Sequence, residues 1–230
     1  MSKDKSKYSG YSLRYNKYND RCINELDGGF VANNACGASN VVVKQKTIPV
    51  RIEHGRLKNI KISDGFKGEG SRITTSANRC VLFNILQNKF YIDFNGKNCL
   101  DLCCGSGIIG FEMMSMGAKN CVFIDCDRKK LQSIDKSLQK TGLQGQTLQC
   151  FLPKMPLFRE QFDIIFIDPP YENDFCEEAL YELKRQDLLR ENGIIIVEVK
   201  DDIEQKCLNN FKLLQIRELK NGAKFWFLRY

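Results

Sequence analysis

Two stretches of this 230-residue chain carry residues whose types and spacing could do chemistry. The first is Ile164-Ile-Phe-Ile-Asp168-Pro169-Pro170-Tyr171. Four apolar residues without alternation read as a strand covered on both faces. Two prolines cannot extend a ladder, so the backbone leaving the strand is stiff and extended. Asp168 then stands at the carboxyl end of a strand, where open α/β sheets place ligands. The Asp168 carboxylate and the Pro169 carbonyl can both accept N–H bonds from an amine conjugated with a ring. Such bonds favour a tetrahedral nitrogen with an available lone pair, and Tyr171 can stack on the ring. A plainer reading is a strand end followed by a helix cap at Asn173 or Asp174, ahead of Phe175, Ala179, Leu180 and Leu183. That reading accounts for the cap but not for Asp-Pro-Pro-Tyr.

The second stretch is LDLCCGSGIIGFE, residues 100–112, with Gly105, Gly107 and Gly110 between a strand pattern and a helix pattern. Asp125 ends the next strand pattern, twenty residues after Gly105. Glycines let a backbone approach a ligand closely, and an acid at a strand end can bond ribose hydroxyls. The spacing fits a dinucleotide, so an NAD-linked oxidoreductase competes. Asp101, four residues before the first glycine, is not called for by NAD. A cationic cofactor would welcome it, and S-adenosylmethionine carries a sulfonium and an ammonium. Hydride transfer has no use for Asp-Pro-Pro-Tyr, whereas methyl transfer to an exocyclic amine does, with in-line attack mostly a matter of positioning.

The elements that must hold these residues alternate from residue 98 onward. Strands are expected at 98–103, 121–126, 146–152, 162–168 and 193–199, with helices at 107–116 and 128–141. Asp127 is the expected cap of the latter helix, and Gly142 its end. KLLQIREL and KFWFLRY close the chain as two strands around Asn221-Gly222, a hairpin signal. Alternating βα units followed by a hairpin describe a doubly wound sheet with one antiparallel strand. Upstream, 47–62 suggests two short strands around Gly55, 63–72 a Gly-rich loop, and 76–90 a helix bearing Val81, Leu82, Ile85 and Leu86 at helical spacing.

Composition allows one full-sized domain plus a small appendage. The expected division is 1–46 as a basic flexible extension, 47–92 as a hairpin and helix appendage, and 93–230 as the main domain. Formal charge is +7, which fits a polyanion partner such as nucleic acid. No run of eighteen apolar residues exists, and the start of the chain lacks the apolar centre of a secretory signal. The eleven cysteines show no Cys-x-x-Cys, and His54 is the only histidine, so no metal site is expected. They read as reduced core thiols of a cytoplasmic protein.

Motif I together with DPPY resembles class I S-adenosylmethionine methyltransferases that modify amino groups. VRIEHGRLKNIKI and RITTSANRCVLFNIL narrow this to a resemblance to the RsmD family of 16S rRNA guanine-N2 methyltransferases, covering about residues 49–230. The family opens with RI-x-G-x-x-K-G and continues with RPTT-D-R-x-R-E-x-LFN-x-L. Here Asn59 stands for a glycine, Ile73 for the proline, and Ser76, Ala77 and Cys80 for Asp, Arg and Glu. The acid that usually follows the third strand and bonds adenine is not visible in QTLQCFLPKMP.

The resemblance implies a Rossmann-like α/β sheet of seven strands with a terminal antiparallel hairpin. It implies S-adenosylmethionine held by Asp101, Gly105, Ser106, Gly107, Asp125, Cys126 and Thr75, and guanine held by Asp168, Pro169, Pro170 and Tyr171. Phosphate contacts would come from Arg51, Arg56, Lys58, Arg72 and Arg79. The implied substrate is 16S rRNA or an assembling small subunit, at the family's guanine-966, and the implied protein is a monomer without metal or membrane. The alternatives are a DNA or protein-glutamine amino-methyltransferase, or an inactive RNA-binding assembly factor.

Overall fold

A computed structural model describes residues 49–63, 74–152, 154–169 and 175–230, all within one compact unit, Gln45–Tyr230. The expected basic extension, residues 64–72 of the expected Gly-rich loop, and Asn173 and Asp174 lie outside the described residues.

Seven strands form the main sheet: β3 (Asn98–Leu102), β4 (Asn120–Asp125), β5 (Gly145–Gln149), β6 (Phe162–Ile167), β7 (Leu189–Val199), β8 (Lys212–Glu218) and β9 (Lys224–Arg229). Their spatial order is β5-β4-β3-β6-β7-β9-β8. Neighbours from β5 to β7 are parallel, while β9 runs antiparallel to both β7 and β8. The expected doubly wound sheet with one antiparallel strand is therefore present. Order reverses between β3 and β6, and such a switch point opens a crevice at the carboxyl ends of the strands.

The central strands are buried on both faces, which explains their unbroken apolar runs. Cys99, Cys121, Phe123, Ile164, Phe166, Ile196 and Phe225 point to one apolar core, and Leu100, Val122, Ile165, Ile167, Val197 and Trp226 to the other. Helix α1 (Ser76–Asn88) contributes Leu82, Phe83 and Leu86 to the first core, with α2 (Ile108–Ser115) and α3 (Arg128–Thr141) beside it. Helix α4 (Phe175–Arg185) covers the second through Ala179, Leu180 and Leu183. Asp127 caps α3 through the N–H groups of Lys129 and Lys130, and Gly142 closes it at φ 66°.

Two strand boundaries differ from expectation by more than two residues. The fifth strand stops at Gln149 instead of running to residue 152. The seventh begins at Leu189, because Leu189 is buried and pairs with Phe162. The strand runs on through Arg190–Gly193 with a register irregularity, and Asn192 adopts φ 63° there.

The upstream segment forms a short hairpin, β1 (Val50–Arg51) with β2 (Lys61–Ser63), around a 3₁₀ turn at Gly55–Leu57. Asn59, which stands where the resemblance implies a glycine, sits at φ 70°. Asparagine is among the residues that best tolerate that left-handed region, so the turn survives the exchange. The hairpin is tied to the sheet domain by Glu112 of α2, whose buried carboxylate accepts from the N–H groups of Glu53 and His54 at 2.9 Å each. Arg79 Nε and His54 Nδ1 lie 3.1 Å from the same carboxylate.

Candidate active site

The crevice at the switch point is lined by Asp101, Cys103, Gly105 and Ser106 from β3 and the loop after it, by Phe166 and Asp168 from β6, and by Thr74 before α1. Asp101 points to the same sheet face as Phe166, its register partner. Asp125 ends β4 and Asp168 follows β6, the two strands that flank β3, and both lie close enough to Asp101 for their charges to act on it. Glu198 lies near the end of β7, the strand beside β6.

Each carboxylate is held. Asp125 Oδ2 accepts from Gly105 N–H at 2.8 Å, and Oδ1 accepts from Asp127 N–H at 2.9 Å. Asp101 is 1% exposed and accepts only from Gly110 N–H, at 3.0 Å, among the described hydrogen bonds. Burial pushes its pKa well above the usual carboxylate range, and the Asp168 and Asp125 charges push it further, against the Gly110 N–H. Glu198, 4% exposed, accepts from Thr74 Oγ1 at 3.0 Å. Asp168 is half-buried, Pro169 buried, and Asp168 N–H bonds the Leu102 carbonyl at 3.2 Å, continuing the β3–β6 pairing one residue past the strand.

The glycines do different work. Gly105 adopts φ 53°, and a Cβ there would meet no atom within 4 Å, so its backbone borders open space. A Cβ on Gly110 would lie 2.3 Å from Phe123 Cε1, so that glycine serves the close packing of α2 on the sheet. Cys103, a non-glycine residue at φ 57° on the crevice wall, holds backbone strain at the site itself. Burial, with Asp125 and Asp168 nearby, pushes its thiol pKa well up, so it stays neutral.

This donor set fits S-adenosylmethionine. Clustered carboxylates with a perturbed pKa suit a ligand bearing two positive charges, and the open backbone at Gly105 leaves room beside Asp125 for a ribose. Among the described residues no group of His, Cys, Asp and Glu could hold a metal ion.

Of the expected site residues, Asp101, Gly105, Ser106 and Asp168 line the crevice. Gly107 begins α2 at φ 72°, and Cys126 is exposed beyond Asp125, its carbonyl accepting from Gln149 Nε2 at 2.9 Å. Gln149 and Cys150 occupy the strand end where an adenine-binding acid was missing. Thr75 is exposed and its hydroxyl caps α1 by accepting from Asn78 N–H; the crevice-lining threonine is Thr74. Pro170, Tyr171 and Arg72 lie outside the described residues. Arg51, Arg56 and Lys58 are exposed on the hairpin. The expectation for Arg79 is corrected. It is 4% exposed and donates to Glu112, Glu53 and the carbonyls of Thr74 and Arg51, which leaves no face for a phosphate. Sequence reading missed Glu198 and Glu112; a lone acid inside an apolar strand or helix pattern was the available signal.

Comparison with known proteins agrees with this fold. The family model described as Conserved hypothetical protein 95 matches residues 50–229. The chain is 32% identical over 168 residues to Ribosomal RNA small subunit methyltransferase D of Haemophilus influenzae, covering 70% of this chain and 82% of that one. It is 27% identical over 185 residues to the protein of the same name from Buchnera aphidicola, covering 77% and 90%. Among solved structures, the methyltransferase yhhF of Escherichia coli superposes with a TM-score of 0.63 at 24% identity, covering 78% of this chain and 97% of that one. With the sheet order and a family match spanning nearly all of the described residues, the chain belongs to the RsmD family of methyltransferases.

Proposed function

We propose that the chain transfers the methyl group of S-adenosylmethionine to the exocyclic N2 amine of a guanine in small-subunit rRNA, with guanine-966 as the target by family resemblance. The observation that carries the reading is Asp101 and Asp168 in the crevice at the switch point, with Asp125 close enough to act on Asp101 and the buried Pro169 following Asp168. When bound, the cofactor supplies an electrophilic methyl on its sulfonium.

In this reading Asp125 holds the ribose hydroxyls, and Asp101 holds the positive end of the cofactor. The Asp168 carboxylate and the Pro169 carbonyl accept the two N–H bonds of the guanine amine. They turn its lone pair toward the methyl and stabilise the positive charge that develops on nitrogen. The Asp168 carboxylate is also the nearest acceptor for the proton released once the nitrogen is alkylated. Tyr171 stacks on the base, and Arg51, Arg56 and Lys58 meet phosphates. The name shared by the Haemophilus and Buchnera relatives supports small-subunit rRNA as the substrate.

The test is transfer of labelled methyl to unmodified 16S rRNA, free and in small subunits, followed by digestion to nucleosides. Labelled N2-methylguanosine is expected. Label on adenine, on DNA or on protein overturns the target. Cofactor binding without any transfer points to an RNA-binding assembly factor.

A further inference from the structure

Helix α3 carries five basic residues against one acidic, a net of +4 out of the chain's +7. Three of the five, Arg128, Lys129 and Lys130, occupy its first turn, which has no acid. Cations there oppose the helix dipole, so the arrangement works against the helix itself. Lys130 is answered by Asp125, with Nζ 3.8 Å from Oδ1. Arg128, Lys129 and Lys136 are exposed and form no ion pair among the described residues.

Lys129, Lys136 and Lys140 are seven and eleven residues apart, so they share one stripe of the helix. The buried Leu131, Ile134 and Leu138 lie on the opposite face. The stripe spans about 16 Å. Its far end adjoins the hairpin, where Lys140 Nζ donates to the Lys61 carbonyl at 3.2 Å. Its near end stands at the rim of the crevice, two residues past the Asp127 cap and four past Asp125.

We propose that this lysine stripe of α3 is a track for the phosphate backbone of the substrate RNA, leading to the crevice rim; this rests on the rRNA reading above. A polyanion answers unpaired like charges in a row, and the dipole's positive end strengthens the field at the rim. The track gives affinity and register and carries no base specificity.

The test compares K129Q/K136Q/K140Q with a control of equal charge loss at exposed lysines outside α3, K206Q/K212Q/K220Q. Glutamine keeps helix propensity close to that of lysine. RNA binding is measured against salt on a 16S rRNA transcript, alongside methyl-transfer kinetics. The stripe variant should flatten the slope of log affinity against log salt by about 2, from three lost contacts at ~0.7 each. KM for RNA should rise at least tenfold, with kcat and cofactor affinity unchanged, while the control stays near wild type. An unchanged slope, or an equal loss in the control, overturns the track. A wild-type protein that binds RNA through the stripe yet labels no rRNA supports the track and refutes the methylation reading.

Discussion

Replacing Asp168 by alanine removes the one carboxylate in the crevice that stands directly before Pro169. If the carboxylate accepts an amine N–H while positive charge develops on nitrogen, the loss falls on the transition state. A unit charge pair at about 4 Å with an effective dielectric of 20 gives ~4 kcal/mol as an upper figure. Asp168 is only half-buried, so water screens part of that. A hydrogen bond to a charged group, about 1.5–3 kcal/mol, is the better measure and corresponds to a 10- to 150-fold fall in kcat. Asp168→Asn keeps a neutral acceptor and should fall between wild type and alanine. Single-turnover transfer of labelled methyl to rRNA isolates chemistry from product release. The fall should appear in the single-turnover rate at saturating RNA. A rate within threefold of wild type, or a loss confined to RNA affinity, would refute the reasoning.

Asp101 predicts a pH effect of definite sign. Its raised pKa means the folded, cofactor-free protein holds a proton that the unfolded chain releases in the ordinary carboxylate range. Stability should fall as pH climbs from that range through the raised pKa, and Asp101→Asn should flatten this part of a melting-temperature profile. A cationic cofactor favours the ionised form, so binding should release a proton, visible by calorimetry in buffers of different ionisation enthalpy. Observed binding heats that are the same in every buffer would exclude it. Glu112→Ala strips the partner from a guanidinium that is 5% exposed at its side chain. Breaking such a buried pair costs about 3–5 kcal/mol, which for a unit of this size lowers Tm by roughly 6–20 °C. A drop under 3 °C would show that Arg79 finds other acceptors.

The strands and the site skeleton are legible in the sequence where local pattern and tertiary demand agree. Apolar runs ending in Asp125 and Asp168 mark both the strand and the ligand end of the sheet. The Asp127 cap and Gly142 stop of α3 follow from local chemistry alone. Reading fails where a tertiary contact overrides a local signal. The apolar strand pattern begins only at Gly193, yet the burial of Leu189 against Phe162 draws the preceding residues into β7. Arg79 sits in a basic motif and looks like a phosphate contact. Its true partner, Glu112, lies 33 residues away, and the one local sign of its burial is that it stands alone in an apolar helix pattern. Thr74 and Glu198 are 124 residues apart, and no periodicity links them. Asn59 is the reverse case, where one unusual residue type preserves the backbone conformation that the family's glycine would supply.

The Glu112 and Glu198 contacts bear on how this chain can be cut and recombined. Both carboxylates belong to the sheet domain, and both are satisfied from upstream of residue 93 by Glu53, His54, Thr74 and Arg79. A fragment starting at residue 93 would keep every strand of the main sheet while stranding two buried acids without those donors. The hairpin and α1 are therefore not a removable accessory. A chimera with a relative will exchange them successfully only if the acids travel with their donors, and the junctions that respect this lie upstream of the hairpin.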